Sequence, residues 1–267
     1  MQPKESRTKL VLGVEYLGTK YHGWQKQTST ANTIQAVLEG ILSQVADEKV
    51  ISNCSGRTDT GVHAFCQVIN FSISSVRKEK AWIMGANSLL PDDIKIVWVR
   101  EVLDDFHARF SALSRTYAYL IRNTDIPSAL WANRCLTFSN SLDCEAMKKA
   151  SEYLLGEHDF SSFRSSSCQS KSPNRNITSI EIKQRGHFIS LQITANAFLY
   201  NMVRIIVGTL LDVGEGSIKH QEVKEILASR DRNLAGKTAK AEGLYFMGPV
   251  YEKKYNIPNP KEHLFKI

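Results

Sequence analysis

No stretch of this chain approaches the ~18 consecutive apolar residues that a membrane-spanning helix needs, so no transmembrane segment is expected. The opening residues, MQPKESRTK, are polar and contain no apolar core segment, which argues against a secretory signal. Cysteine is present only as Cys54, Cys66, Cys135, Cys144 and Cys168, an odd number at wide spacings with no C-x-x-C pair. Neither a disulfide framework nor a thiolate zinc site is suggested, and reduced thiols in a cytosolic protein are the simpler reading. The common catalytic signatures are missing as well. There is no G-x-x-x-x-G-K-[ST] loop to cradle phosphates, no G-x-G-x-x-G after a strand, no H-E-x-x-H and no G-x-S-x-G elbow. The seven histidines are scattered, and His63, His107 and His158 read as structural rather than metal-binding. A soluble, cytoplasmic protein without a membrane partner is the expectation.

What is present is an ordinary globular composition. The 267 residues are 42% hydrophobic and 23% charged, enough for a sizeable core. Lys and Arg number 34 against 27 Asp and Glu, a net charge of +7. That excess favours a polyanionic partner such as a nucleic acid.

Residues 9–16 (KLVLGVEY) alternate and read as a strand. Residues 18–27 (GTKYHGWQKQ) then mix glycine, aromatic and basic side chains. Asn32 looks like the N-cap of a helix in which Ile34, Val37, Leu38, Ile41, Leu42 and Val45 recur at helical spacing. A strand follows over 62–74, with Phe65, Gln67, Ile69, Phe71 and Ile73 on one side; then come a helix over 81–90 ended by Pro91 and a strand over 94–102. The second half predicts a strand at 116–122, a helix at 143–155 and a hairpin of 177–184 with 188–195 around Arg185-Gly186-His187. A helix over 198–213, apolar nearly all round and therefore buried, a helix at 222–228 and a strand at 243–250 complete it. Hairpins mixed with helices predict an α+β fold, a mainly antiparallel sheet with helices on one face. Residues 1–8 are expected as a polar tail, 9–105 as a first α+β domain and 106–267 as a second. Residues 164–176 (RSSSCQSKSPNRN) are the one long polar loop, either a surface loop or a nucleic-acid contact that orders on binding.

One carboxylate stands out. Asp59 lies in GRTDTGVHA, a short polar turn between apolar segments, with Arg57 two residues before it and Gly56 and Gly61 at either end. Glycines let the backbone turn sharply and approach a ligand closely. Loops on rigid scaffolds carry catalytic groups, though a lone Asp in a loop is also a common turn former or cap. Basic and aromatic residues interleave at Lys20-Tyr21-His22-Gly23-Trp24, Phe106-His107-Ala108-Arg109-Phe110 and Arg115-Thr116-Tyr117-Ala118-Tyr119, the mixture that stacks on unpaired bases and grips phosphates. The alternative is core aromatics beside solvated charges. Arg204 sits inside the apolar run NAFLYNMVRIIVG, where a charge needs a partner. Asp59, Asp212 and backbone carbonyls are all candidates.

Taken together, VEYLGTKYHGWQ, GRTDTGVHA, DDFHARFSA, RTYAY, CQSKSP with RN, NAFLYNMVR and AEGLYF occur in an order that closely resembles the tRNA pseudouridine synthase A family, over residues 10–250. The resemblance implies two ferredoxin-like α+β halves that join their sheets, with an RNA cleft between them. It implies conversion of uridine to pseudouridine at positions 38, 39 and 40 of the tRNA anticodon stem-loop. Asp59 would be the catalytic aspartate, Tyr117 the base-stacking tyrosine near C5, Arg204 the basic partner of Asp59 and Leu244 the apolar residue against the target base. Arg57, Arg109 and Arg164 would hold the RNA backbone. The reaction implied needs no cofactor, metal or ATP, and family members are typically homodimers. Thr60 follows Asp59 where alanine is common in that family, and Asn201 stands where histidine is frequent. Two other readings compete: an RNA-binding protein that kept the fold without the chemistry, and an Asp-nucleophile phosphotransferase. The latter wants a second Asp and Mg²⁺ nearby, which Asp59-Thr60-Gly61 does not supply.

Overall fold

The computed structural model describes residues 7–75 and 77–259. The chain forms two compact units, Met1–Leu113 with Phe246–Lys266, and Ser114–Tyr245. The first unit runs past residue 105 and takes back the last strand, because Phe106, Ala108, Tyr251 and Tyr255 share a core with Val11, Cys66, Val68 and Trp98. Most of the expected 1–8 tail lies outside the described residues, and Thr8 already opens the first strand.

The first unit contains β1 (Thr8–Tyr16), α1 (Ile34–Ala46), the two-residue β2 (Asn53–Cys54), β3 (His63–Ile73), α2 (Ala86–Leu89) and β4 (Ile94–Glu101). β1 is the central strand, antiparallel to β3 with Leu12 opposite Ile69 and to β4 with Leu12 opposite Val99. β2 pairs with β3, Asn53 opposite Asn70. On one face Phe71 meets Trp82 edge-on, ring centroids 5.6 Å apart, and α1 buries Ile34, Leu38 and Leu42. The other face carries the cluster completed by Phe106, Tyr251 and Tyr255. β3 is therefore buried on both faces, and its alternation signals a strand without telling in from out. Gly13 in β1 makes room for a neighbour: a Cβ there would lie 2.2 Å from the Trp98 indole.

Two local expectations shift. The N-cap of α1 is Thr33, not Asn32: Thr33 is extended and its hydroxyl accepts the Ala36 N–H, while the Asn32 side chain donates to the Lys20 carbonyl at 2.6 Å. The buried face of α1 also takes in Gln35 and Glu39, with Val37, Ile41 and Val45 only half-buried. Glu39 tolerates this because its Oε1 accepts from Gln35 Nε2 (2.9 Å), Ser52 N (2.9 Å) and Ser52 Oγ (3.0 Å). The helix over 81–90 opens as a wide π-type turn, Ala81–Gly85, before α2; Leu90 is extended, as the residue before a proline prefers.

The second unit contains β5 (Ser114–Asn123), β6 (Leu136–Phe138), α3 (Cys144–Glu152), β7 (Gly156–Asp159), β8 (Asn174–Arg185), β9 (Phe188–Ala195), α4 (Met202–Gly214) and α5 (Glu222–Ser229). It also holds the first two residues of β10 (Leu244–Val250); the remaining five belong to the first unit. β9 lies between β5 and β8, antiparallel to both, with Ile193 opposite Tyr117 and Ile180. β7 pairs with β8, and β6 runs parallel to the end of β5. The β8–β9 hairpin turns at Gly186, φ 55°. Asp143 caps α3 by accepting from Glu145 and Ala146 N–H. α4 is buried nearly all round, as its sequence implies, but begins four residues later than expected. Asn201 takes a left-handed conformation (φ 61°, ψ 5°), which asparagine tolerates and which breaks the helical run from Phe198. β6 and β7 are short strands that the sequence did not announce. The chain is an α+β protein whose mainly antiparallel strands are flanked by helices.

Replacing Thr33 by alanine removes the α1 cap and is expected to cost about 1 kcal/mol in urea unfolding. Asn32→Ala should cost less than Thr33→Ala.

Candidate active site

Asp59 lies in the irregular segment between β2 and β3. Its side chain is half-buried, and the surroundings grip the backbone on either side of it. Gln67 of β3, fully buried, accepts from Ser55 Oγ at 2.7 Å and from Gly56 N at 3.3 Å, and donates to the Gly56 carbonyl at 2.5 Å. Thr58 points inward. Its hydroxyl shares a 2.7 Å hydrogen bond with the Tyr16 phenol, and its carbonyl accepts the Trp24 N–H at 2.9 Å. Asp59 O then accepts the Val62 N–H at 3.1 Å, closing a turn in which Gly61 has φ 78°. Thr58 is thus buried while Arg57 is exposed and Asp59 half-exposed.

The 16–24 segment makes this hold possible through two glycines. A Cβ on Gly23 (φ 81°) would lie 2.7 Å from Thr58 O and 3.1 Å from the Asp59 carbonyl carbon. A Cβ on Gly18 would lie 2.0 Å from Val62 O, and Gly18 N donates to His63 Nδ1 at 3.0 Å. His63 is therefore structural, as its sequence context suggests. Burial raises the Tyr16 phenol far above its ordinary range, against opposing hydrogen bonds from Thr58 and Gln67, so it stays protonated under the loop. Tyr16 and Gln67 were not singled out from sequence; their places in VEYLG and in the β3 alternation were the available signals.

The second unit holds the other candidates. Tyr117, half-buried on β5, has the Phe198 ring edge-on at 5.1 Å and 86°. Adjacent Thr116 bonds Thr194 at 2.9 Å and Tyr119 donates to the Lys240 carbonyl at 2.7 Å. Arg204 is in the first turn of α4. Its Nε donates to the Ala239 carbonyl at 2.7 Å, its Nη1 to Asn201 Oδ1 at 3.1 Å, and Ala239 N donates back to Arg204 O at 3.0 Å. The 236–240 segment is thereby laid along the helix. Gly208 permits it, since a Cβ there would stand 1.8 Å from Lys237 O, and Thr209 Oγ1 accepts the Gly236 N–H. A backbone carbonyl, one of the partners considered from sequence, is thus among those of Arg204. Leu244 opens β10 and is only 5% exposed.

The basic residues differ in kind. Arg57 and Arg109 are exposed, and the charge of each reaches the Cys54 thiol. Arg164 folds its own loop, Nη2 donating to the carbonyls of Cys168 and Ser170 at 2.8 Å each. Burial pushes the Cys54 and Cys66 thiols to about 11, which makes them inert at neutral pH. At Cys168 burial pulls upward too, but hydrogen bonds from the Tyr200 and Ser170 amides and the nearby Arg164 outweigh it and draw the thiol below its ordinary value. Among the described residues no group of three or more His, Cys, Asp or Glu side chains could hold a metal ion, and no helix is long and apolar enough to cross a membrane.

A family model described as tRNA pseudouridine synthase matches residues 13–111 and 150–252, which span the clamped acidic loop, β9, α4 and β10. The class is therefore that of RNA-modifying isomerases. The tRNA pseudouridine synthase A of Pectobacterium atrosepticum is 47% identical over 252 residues, 94% of this chain and 89% of that protein. That of Hydrogenovibrio crunogenus is 47% identical over 251 residues, 94% and 95% of the two chains. That of Shewanella woodyi is 45% identical over 250 residues, again 94% and 95%. The chain belongs to the tRNA pseudouridine synthase A family.

Tyr16→Phe leaves the buried Thr58 hydroxyl without its partner. It is expected to lower unfolding free energy by about 1–2 kcal/mol and kcat by up to about tenfold with little change in KM, measured by urea titration and pseudouridine assay. Thiol labelling at neutral pH should modify Cys168 first among the five cysteines, and Cys168→Ser should remove that fast phase. Its rate should fall as pH drops through the lowered Cys168 pKa.

Proposed function

We propose that this chain converts uridine to pseudouridine at positions 38, 39 and 40 of the tRNA anticodon stem-loop, with Asp59 as its catalytic carboxylate. The N1–C1′ bond breaks, the uracil turns, a C5–C1′ bond forms, the C5 proton leaves and N1 regains one. Atoms and electrons balance within one nucleotide, so the isomerisation calls for no cofactor. Asp59 must be ionised to act as nucleophile or base, and Arg204 is the guanidinium we assign to keep it so. Tyr117, braced edge-on by Phe198, is assigned to stack on the target base near C5, and Leu244 to bound the base on its apolar side. Leu244 is nearly buried, so little of its surface is open to a base. Arg57 and Arg109 are assigned to hold the backbone of a nucleotide drawn out of the stem, at a cost of about a few kcal/mol. Arg164 serves the same RNA through the shape of the loop it ties. The enzyme is taken to act as a homodimer in the cytoplasm.

The observation that carries this reading is the backbone clamp on residues 55–62. It presents one acid from a rigid scaffold, in a family whose curated relatives are named for this reaction. The phosphotransferase reading loses its ground with family membership.

Asp59→Asn should reduce tritium release from C5-labelled tRNA by roughly a thousandfold or more, with tRNA affinity retained and EDTA without effect on the wild type. Retained turnover in the Asp59→Asn protein would overturn the assignment.

A further inference from the structure

Phe110 is 77% exposed, against 44% for Tyr200, the next most exposed aromatic among the described residues. A single exposed apolar side chain is unremarkable; the setting of this one is not. The turn that carries it is stiff. His107 N donates to Ser111 Oγ at 3.0 Å, Ser111 N donates to the His107 carbonyl at 2.9 Å, and His107 Nδ1 accepts from Arg109 N at 3.1 Å and Phe110 N at 3.4 Å. Burial, with Lys9 and Arg109 adding to it, holds the His107 pKa below its ordinary value, so the ring stays neutral at pH 7 and keeps accepting. The His107 ring lies 4.4 Å from that of Phe110, and the Arg109 guanidinium lies over the Phe110 ring at 5.6 Å.

This turn is tied to the strands that lead into the acidic loop. Ala108 N donates to the buried Asn70 Oδ1 at 2.8 Å, and Asn70 is the β3 partner of Asn53 in β2. The charges of Arg57 and Arg109 converge on Cys54, the other residue of β2. A rigid, solvent-facing ring, a guanidinium beside it and a second arginine close by match the way single-stranded RNA is held, with a base on the ring and phosphates on the arginines.

We propose that Phe110, flanked by Arg109, is a stacking platform for an unpaired base of the RNA substrate, beside the strands that lead into the Asp59 loop. The inference rests on the tRNA reading above and adds a subsite to it. Phe110 binds and positions; it takes no part in bond-making.

The test is binding of an unmodified anticodon stem-loop RNA across a salt series, with sedimentation and thermal unfolding of each variant. Phe110→Ala is expected to weaken binding roughly five- to a hundredfold without changing the salt slope or the Tm, and Phe110→Trp to restore it. Arg109→Ala should lower the slope by about one. Binding of Phe110→Ala within about twofold of wild type would overturn the proposal, and so would a fall in affinity that tracks a reduced salt slope. A shift of the free protein to a smaller species with RNA affinity intact would reassign Phe110 to a contact between protein copies. If the wild type made no pseudouridine while Phe110→Ala still lost RNA affinity, the catalytic reading would fail and the platform would stand.

Discussion

The amide of Trp24 donates to the carbonyl of Thr58, and Gly23 lets the two strands of chain come close enough for it to do so. Everything assigned to Asp59 depends on that contact and on the Tyr16 and Gln67 bonds beneath it. All of them act on main chain or on residues flanking the acid. The loop is thereby held from within the protein by groups other than the carboxylate. The role proposed for Asp59, meeting a base as it leaves and rejoins a sugar, benefits from such a fixed origin.

The second unit uses the same device. At Gly208 the missing side chain lets the Lys237 carbonyl approach α4, and the segment so docked supplies the Ala239 carbonyl to Arg204. Asn201, in its left-handed turn, supplies a second acceptor. This asparagine both tolerates that backbone and bonds the arginine. In both units a glycine is placed where backbone must touch backbone, and the residue of chemical interest is fixed as a consequence.

Much of the architecture was legible because periodicity and punctuation agree. The strands at residues 8–16, 63–73 and 188–195 and the buried α4 follow from apolar patterning, and Gly186 marks a turn by its type. The misses share a physical cause. Asn32 and Thr33 are both good caps, and only the path of residues 18–24 decides between them. Residues 198–201 look helical until Asn201 turns left-handed. Glu39 looks exposed until Ser52 is folded onto it. The acidic loop was legible as a motif, but its supports were not, because Tyr16, Gly23 and Gln67 lie 43, 36 and 8 residues from Asp59 and meet it only through tertiary structure. Arg164 was picked for its charge, and the structure adds an architectural duty to the loop it opens.

The core of the first unit draws on both ends of the chain: Val11 and Cys66 from its beginning, Tyr251 and Tyr255 from near its end. Synthesis delivers Leu113 well before Phe246, and at ordinary elongation rates the interval is on the order of ten seconds. Throughout it the first unit lacks most of its closing strand and the buried aromatics Phe246, Tyr251 and Tyr255, whereas nearly all of the second is made in one uninterrupted run. The second unit is therefore nearly contiguous in sequence, while the first is completed only by residues made after it. The cluster around Cys66 and Val68 is complete only after Tyr251 and Tyr255 have emerged.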